Sequence, residues 1–486
     1  MKKILLTISM MLVFTVLTSA QTLRFANAFS DNAVLQQKSN VRIWGWDVPA
    51  RDITVECSWL KETLTATTDF HGRWVVTAAT PEGSFDSHTI TAQSALQSVT
   101  IENVVFGDVW FCAGQSNMEM QMANDARWNL YVEGSEEEIA RSANKNLRYI
   151  KVNRDETFSK KEDTATTGWV EFTPSSVQWV SAVGYYFAKN IFKELNYPIG
   201  LFINAYGGSS IEGWIPRDGV DPSDYQPELE RLNNEFASGS ERPYYQTMSC
   251  LYNSMTYPFT NYEIKGWLWY QGETNVGDEI RYKTMMQDLV SSWRKAWGDE
   301  KLPFYYVQLA PFYYESYKNG LWSTFAVAQQ QIAKTINHCE MVVIADLGVP
   351  SNVHPKYKRQ VGERLANVAL ANTYNFTDVQ WKVAEPYYVS VDNKNHKVTI
   401  EFENVYEGLS FDDEIIEFEI SYDGEIFEKV SSQKAIGDKV ILTYSKKRVP
   451  QCVRYCWYDE SSSNLFNSAG LSVGPMTLDI NKFSSY

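Results

Sequence analysis

Five short apolar runs, at 107–113, 199–205, 266–270, 304–309 and 341–346, each end in glycine or polar residues, and stretches of helical spacing separate them. Unbroken runs of this kind suit strands buried on both faces, as in a parallel sheet. Between them, Tyr282, Met286, Leu289, Trp293 and Trp297 recur three and four residues apart and predict a helix over 280–297. Residues 181–195 and 322–337 behave similarly, and Pro355 suits the first turn of a helix running through Val361, Leu365 and Val368. Strands alternating with helices make a doubly wound parallel sheet, the α/β class.

The flanks lack that alternation. Short β-rich stretches at 41–46, 53–57, 89–92 and 99–101 precede the sheet, and others at 398–402, 415–420 and 439–443 follow it, with Asp423-Gly424 as a hairpin-type turn. The expected organisation is a signal peptide at 1–20, an N-terminal β domain at 21–105, a central α/β domain at 106–382 and a C-terminal β domain at 383–486.

Lys2 and Lys3, an apolar stretch from Ile4 to Leu17 and the small residues Thr18-Ser19-Ala20 form the targeting segment, so export to the periplasm or medium is expected. No later apolar run reaches the ~18 residues of a membrane span. The formal net charge of −15 argues against a nucleic-acid partner, which would need clustered Lys and Arg. Six cysteines are too few for a disulfide framework in a chain this long. Cys452 and Cys456, on one strand, would stand roughly 13 Å apart at ~3.3 Å per residue, so buried free thiols are the expectation. The five histidines show no ligand spacing, and neither metal nor organic cofactor is expected.

In a doubly wound sheet, sites form beyond the carboxyl ends of the strands, so the residues after each run carry the chemistry. The first run ends in Gly114-Gln115-Ser116-Asn117-Met118, which places a serine at a strand-to-helix turn: a candidate nucleophile, or an ordinary N-cap. After the second run, Gly207-Gly208 lets backbone N–H groups approach a ligand, or simply makes a tight turn. Gln271-Gly272-Glu273-Thr274-Asn275 adds amides and a carboxylate after the third. His354 is the one histidine in a strand-end loop of this sheet, and a serine nucleophile needs such a base.

Taken together, Gly114-Gln115-Ser116-Asn117-Met118, Gly207-Gly208, Trp269-Tyr270-Gln271-Gly272-Glu273-Thr274-Asn275 and Val353-His354-Pro355 resemble the sequence blocks of the sialate O-acetylesterase family, within the SGNH-hydrolase-like superfamily. The likeness extends to Ser30-Asp31-Asn32-Ala33-Val34-Leu35-Gln36-Gln37 and to Asn464-Leu465-Phe466-Asn467-Ser468-Ala469-Gly470-Leu471, near the two ends of the mature chain. The resemblance implies an SGNH-like α/β domain flanked by sandwich-like β domains, and removal of O-acetyl groups from sugars through an acetyl-serine intermediate. It implies Ser116 as nucleophile and His354 as base. The N–H groups of Ser116 and Gly208, with an amide from Gln271 or Asn275, would hold the oxyanion. Many relatives carry Asp two residues before the histidine. Asn352 stands there instead, which leaves Asp346 or Glu273 as candidate carboxylates to orient His354.

O-acetylated sialic acid is the expected substrate, and acetylated xylan or another plant polysaccharide the main alternative. Trp214, as a stacking surface, and Arg217, as a carboxylate partner, are the candidate substrate contacts. Two other classes remain: a non-catalytic carbohydrate-binding protein, suggested by the flanking β domains and abundant Trp, and a glycosidase using Glu273 with Glu171 or Asp346. Oligomeric state is not legible in the sequence.

Overall fold

The computed structural model describes residues 22–314, 320–412, 418–445 and 448–483. The signal peptide at 1–20 lies outside the described residues, as do residues 415–417 of the strand expected at 415–420; the strand seen there is Glu419–Ser421.

The N-terminal strands Arg24–Phe25, Asn40–Trp46 and Arg73–Ala79 form one antiparallel sheet. A second group, Asp52–Cys57, Leu64–Thr67 and Ser84–Gln93, pairs through its last member with the longest strand of the chain, β1 (Ser98–Gly114). β1 then enters the central sheet. The boundary expected at 105/106 therefore falls inside one continuous strand, and the N-terminal core runs without a break into one face of the central layer.

The central sheet adds β2 (Asn144–Val152), β3 (Thr166–Phe172), β4 (Ile199–Ala205), β5 (Gly266–Tyr270), β6 (Phe304–Val307) and β7 (Cys339–Val342). Their order is β3-β2-β4-β1-β5-β6-β7, and every pairing is parallel except the antiparallel edge pair β3–β2. β4 and β5 are buried at every position, which is why their sequences carry no alternation. β2 and β3 escape the apolar-run reading because Lys145, Arg148 and Lys151 interrupt the first and Gly168 and Glu171 the second.

Helices cover both faces. The short α1 (Ser116–Glu119) follows β1, and α2 (Ala182–Leu195) packs with α5 (Lys358–Asn372) on one face. α3 (Glu279–Trp297) and α4 (Leu321–Ala333) cover the other. Tyr282, Met286, Leu289, Trp293 and Trp297, the expected stripe of α3, are all buried. Helix α5 begins three residues later than Pro355 suggested, after a loop that turns His354 back toward β1.

The C-terminal β region has its own core. It comprises a sheet of Glu385–Asp392, Lys397–Glu403, Lys439–Thr443 and Ser432–Ile436, a second four-stranded sheet and a two-stranded pair. It also braces the central domain. The Asp459 carboxylate accepts from the N–H groups of Gly320, Trp322 and Ser323 at the start of α4, a cap supplied from another module. All six cysteines are unpaired, and all but Cys452 are buried.

One glycine is indispensable to this arrangement. Gly114 ends β1 at φ +137°, and a Cβ there would lie 2.1 Å from the Tyr270 carbonyl oxygen on the neighbouring strand. Gly114→Ala is expected to destabilise the fold by about 2–4 kcal/mol, the combined cost of a strained φ and overpacking, read as a lowered urea midpoint.

Candidate active site

Three strand ends converge at Gly114: Ala205 of β4 pairs with it on one side and Tyr270 of β5 on the other. Ser116, two residues beyond, opens α1, so its N–H is one of the donors that a helix start leaves unsatisfied. The loop before α5 carries His354 to the same place. His354 Nε2 lies 2.8 Å from Ser116 Oγ, across 238 residues of chain. A hydroxyl that donates to Nε2 requires the tautomer with its proton on Nδ1.

Neither carboxylate expected to orient His354 reaches it. Asp346 is locked by both Arg364 guanidinium nitrogens, at 2.7 and 2.6 Å, and by the Ser472 hydroxyl at 2.7 Å. Glu273 instead accepts from the Asn117 amide at 2.5 Å. Among the described residues no carboxylate hydrogen-bonds to the His354 ring. Asn352, in place of an acid, accepts from the His354 backbone N–H at 2.9 Å and donates to the Asn129 carbonyl at 3.1 Å. It shapes the loop and leaves the imidazole alone.

The expected amide donors are also committed elsewhere. Gln271 donates to Asn275 Oδ1 at 2.7 Å and to the Ser209 carbonyl at 3.2 Å, while Asn275 donates to Glu212 at 3.1 Å. Both side chains are buried, and they brace the loops around the site. Gly208 has φ +77°, and its carbonyl is held by Gln246 and Thr274, which sets the peptide plane. Among the described residues the Gly208 N–H has no partner, whereas the Gly207 N–H donates to Glu119 at 2.8 Å.

A cleft of about 510 Å³ opens over Ser116 and His354. Trp214 does not line it. That indole is fully buried, with its N–H on Ser209 and its ring edge-on to Trp269. Arg217 is exposed but lies off the cleft, its backbone tied to Ser249. The aromatic and the cation at the cleft are instead Trp128, 73% exposed, and Arg154. Glu119 grips the Arg154 guanidinium at two nitrogens, and the guanidinium sits 4.8 Å from the Tyr206 ring centroid. Trp128 lies in the connection between β1 and β2, and Arg154 lies two residues beyond β2, a strand that the apolar-run reading missed, so the sequence offered no cue to either.

Burial, and next the positive charge of nearby Lys358, lower the His354 pKa to about 4. A neutral imidazole at neutral pH is what a proton acceptor requires. Among the described residues no group of three or more His, Cys, Asp or Glu side chains is arranged to hold a metal ion.

Comparison with known proteins bears on the class of the chain. The family model described as carbohydrate esterase, sialic acid-specific acetylesterase, matches residues 106–371. The chain is 27% identical to the sialate O-acetylesterase of Mus musculus over 406 residues, 72% of this chain and 73% of that one. With the Homo sapiens sialate O-acetylesterase the identity is 27% over 324 residues, 59% of this chain and 57% of the human one. A carbohydrate acetylesterase from Xanthomonas citri, known from its crystal structure, superposes with a TM-score of 0.82 at 27% identity, covering 94% of this chain and 99% of that one. Fold and matches together define a carbohydrate O-acetylesterase, a hydrolase. Within that class, the chain belongs to the sialic acid-specific acetylesterase family.

The His354 ring, followed by NMR and assigned by its absence in His354→Ala, is expected to stay neutral until pH falls to about 4. An unfolded imidazole protonates near 6.5, so between those values the unfolded state binds more protons. Stability therefore falls as pH falls through that window. Protonation of His354 near 6.5 in the folded protein contradicts the burial argument.

Proposed function

We propose that the enzyme removes O-acetyl groups from sugars by acyl transfer through Ser116, with O-acetylated sialic acid as substrate. The 2.8 Å contact between Ser116 Oγ and His354 Nε2 at the floor of the cleft carries this reading. Ser116 Oγ attacks the acetyl carbonyl while His354 Nε2 takes its proton, and the carbonyl oxygen becomes the oxyanion. The N–H groups of Ser116 and Gly208, neither spent on another partner among the described residues, are assigned as its donors in this reading. His354 then returns the proton to the departing sugar oxygen, which leaves an acetyl-serine. Water, deprotonated by the same nitrogen, attacks that ester; acetate departs and Ser116 regains its proton.

The sialate reading draws on the names of the relatives. One observation favours a neutral acetylated polysaccharide such as xylan as the second reading: Arg154, the cation beside Ser116, is already neutralised by Glu119. In either case Trp128 is the surface on which a sugar ring stacks, at the rim and close to the nucleophile. The leader at 1–20 supports export to the periplasm or medium. Among the described residues no helix is long and apolar enough to cross a membrane.

Ser116→Ala and His354→Ala are each expected to cut hydrolysis of 4-nitrophenyl acetate by about 10⁴-fold or more while the protein folds normally. A folded Ser116→Ala enzyme with wild-type turnover ends the reading. Acetate release from 9-O-acetylated sialic acid, run beside acetylated xylan, decides the substrate.

Trp128→Ala is expected to raise KM for the preferred sugar ester about tenfold, the loss of one stacking contact, with 4-nitrophenyl acetate turnover held. Equal KM values for the sugar ester remove Trp128 from the site.

A further inference from the structure

Behind the Ser116–His354 pair lies a set of buried polar side chains that the acyl-transfer steps do not use. Asn117, 1% exposed, directly follows the nucleophile. Its amide nitrogen donates to Glu273 Oε1 at 2.5 Å and to the Val353 carbonyl at 3.0 Å, and its Oδ1 accepts from Lys358 Nζ at 2.5 Å. Only this orientation of the amide works, because an ammonium has no lone pair to offer and a carboxylate and a carbonyl have no proton.

The two ionisable partners are costly residues to place here. Lys358 is fully buried and is the first residue of α5, where a cation opposes the helix dipole. Its ammonium also sits 5.4 Å from the Tyr270 ring centroid. Glu273 keeps one oxygen, Oε2, without a partner among the described residues. A lysine and a glutamate so enclosed are maintained against a desolvation penalty that apolar residues would avoid. What they hold in common is the Asn117 amide, and that amide joins the residue after Ser116 to the residue before His354.

We propose that Asn117 is a positioning residue, which clamps the His354 loop to the Ser116 turn, and that Lys358 and Glu273 exist to hold its amide in place. This inference rests on the Ser116–His354 reading. It assigns to a backbone clamp the task that an orienting carboxylate performs on the imidazole ring in a triad. Asn352 supports the same loop from its other side, through the His354 N–H and the Asn129 carbonyl. The clamp sets where the imidazole stands, and the short Ser116–His354 contact follows from that placement.

The test uses Asn117→Ala, Asn117→Asp and Lys358→Met in the full chain, with Ser116→Ala beside them. Asn117→Asp keeps the shape and the acceptor for Lys358 but cannot donate to Val353 or Glu273. The readouts are kcat and KM for 4-nitrophenyl acetate, the rate at which a phosphonate ester labels Ser116, and the thermal midpoint. Both Asn117 variants are expected to lose about 10²-fold in kcat with KM held within about threefold, and to label more slowly in proportion, because misplacing a reacting group by an ångström costs that much. Lys358→Met, which frees one side of the amide, is expected to lose about tenfold in kcat in the same pattern. If the Asn117 variants fail to fold, the Lys358→Met result decides alone.

Folded variants with wild-type kcat and labelling rate overturn the clamp, as does a loss confined to KM. If those variants are fully active while Ser116→Ala is silent, the clamp fails and the Ser116 reading stands. If Ser116→Ala itself turns over normally, both fall together.

Discussion

Everything at the site depends on how closely three parallel strands approach one another at their carboxyl ends. Ala205, Gly114 and Tyr270 stand side by side in register, and the gap beside Gly114 leaves no room for a Cβ. Backbone hydrogen bonds at that spacing deliver Gly208, Ser116 and Gln271 to the same rim within a few residues of each strand end. A doubly wound sheet builds its sites there because strand ends and helix starts meet at that edge.

Electrostatics at this rim runs on burial more than on attraction between opposite charges. Among the described residues no carboxylate meets the His354 ring, which is kept neutral by its surroundings and by the charge on Lys358. Lys358 is itself lowered to about 7 by burial, with Glu273 opposing the shift, and burial raises the Glu273 carboxyl. Burial thus works against the charged form of each of these two groups in a pocket they share. Acids placed elsewhere have other work: Asp346 fastens α5 and the C-terminal region through Arg364 and Ser472, and Asp459 caps α4 across a module boundary.

Much of the architecture was legible, for a definite reason. Strands β4 and β5 coincide with their apolar runs because full burial on both faces leaves only apolar residues acceptable. Strand β7 was read two residues late, since Glu340 and Met341 are only partly buried. Strands β2 and β3 went unread because the sheet edge tolerates charge: Arg148 is buried, yet its guanidinium finds the Asn103 and Lys145 carbonyls. Trp214 looked like a sugar platform, but nothing local to a tryptophan tells a core from a surface. The oxyanion amides and the orienting acids failed in the same way, since residue type names the groups a side chain carries and says nothing of which partner takes them.

Sequence by itself determined the five apolar strands of the central sheet and the principal helices between them, the serine at the end of the first of these strands and the histidine in the loop after the last, because burial periodicity and turn chemistry are local properties of the chain. The tertiary structure alone decided that these two residues touch, that Asn352, Asp346 and Glu273 do not serve the imidazole, and that Asn117 and Lys358 stand behind it. Those outcomes turn on side-chain directions and on competition among partners distant in sequence, and both arise only when strands and helices have packed.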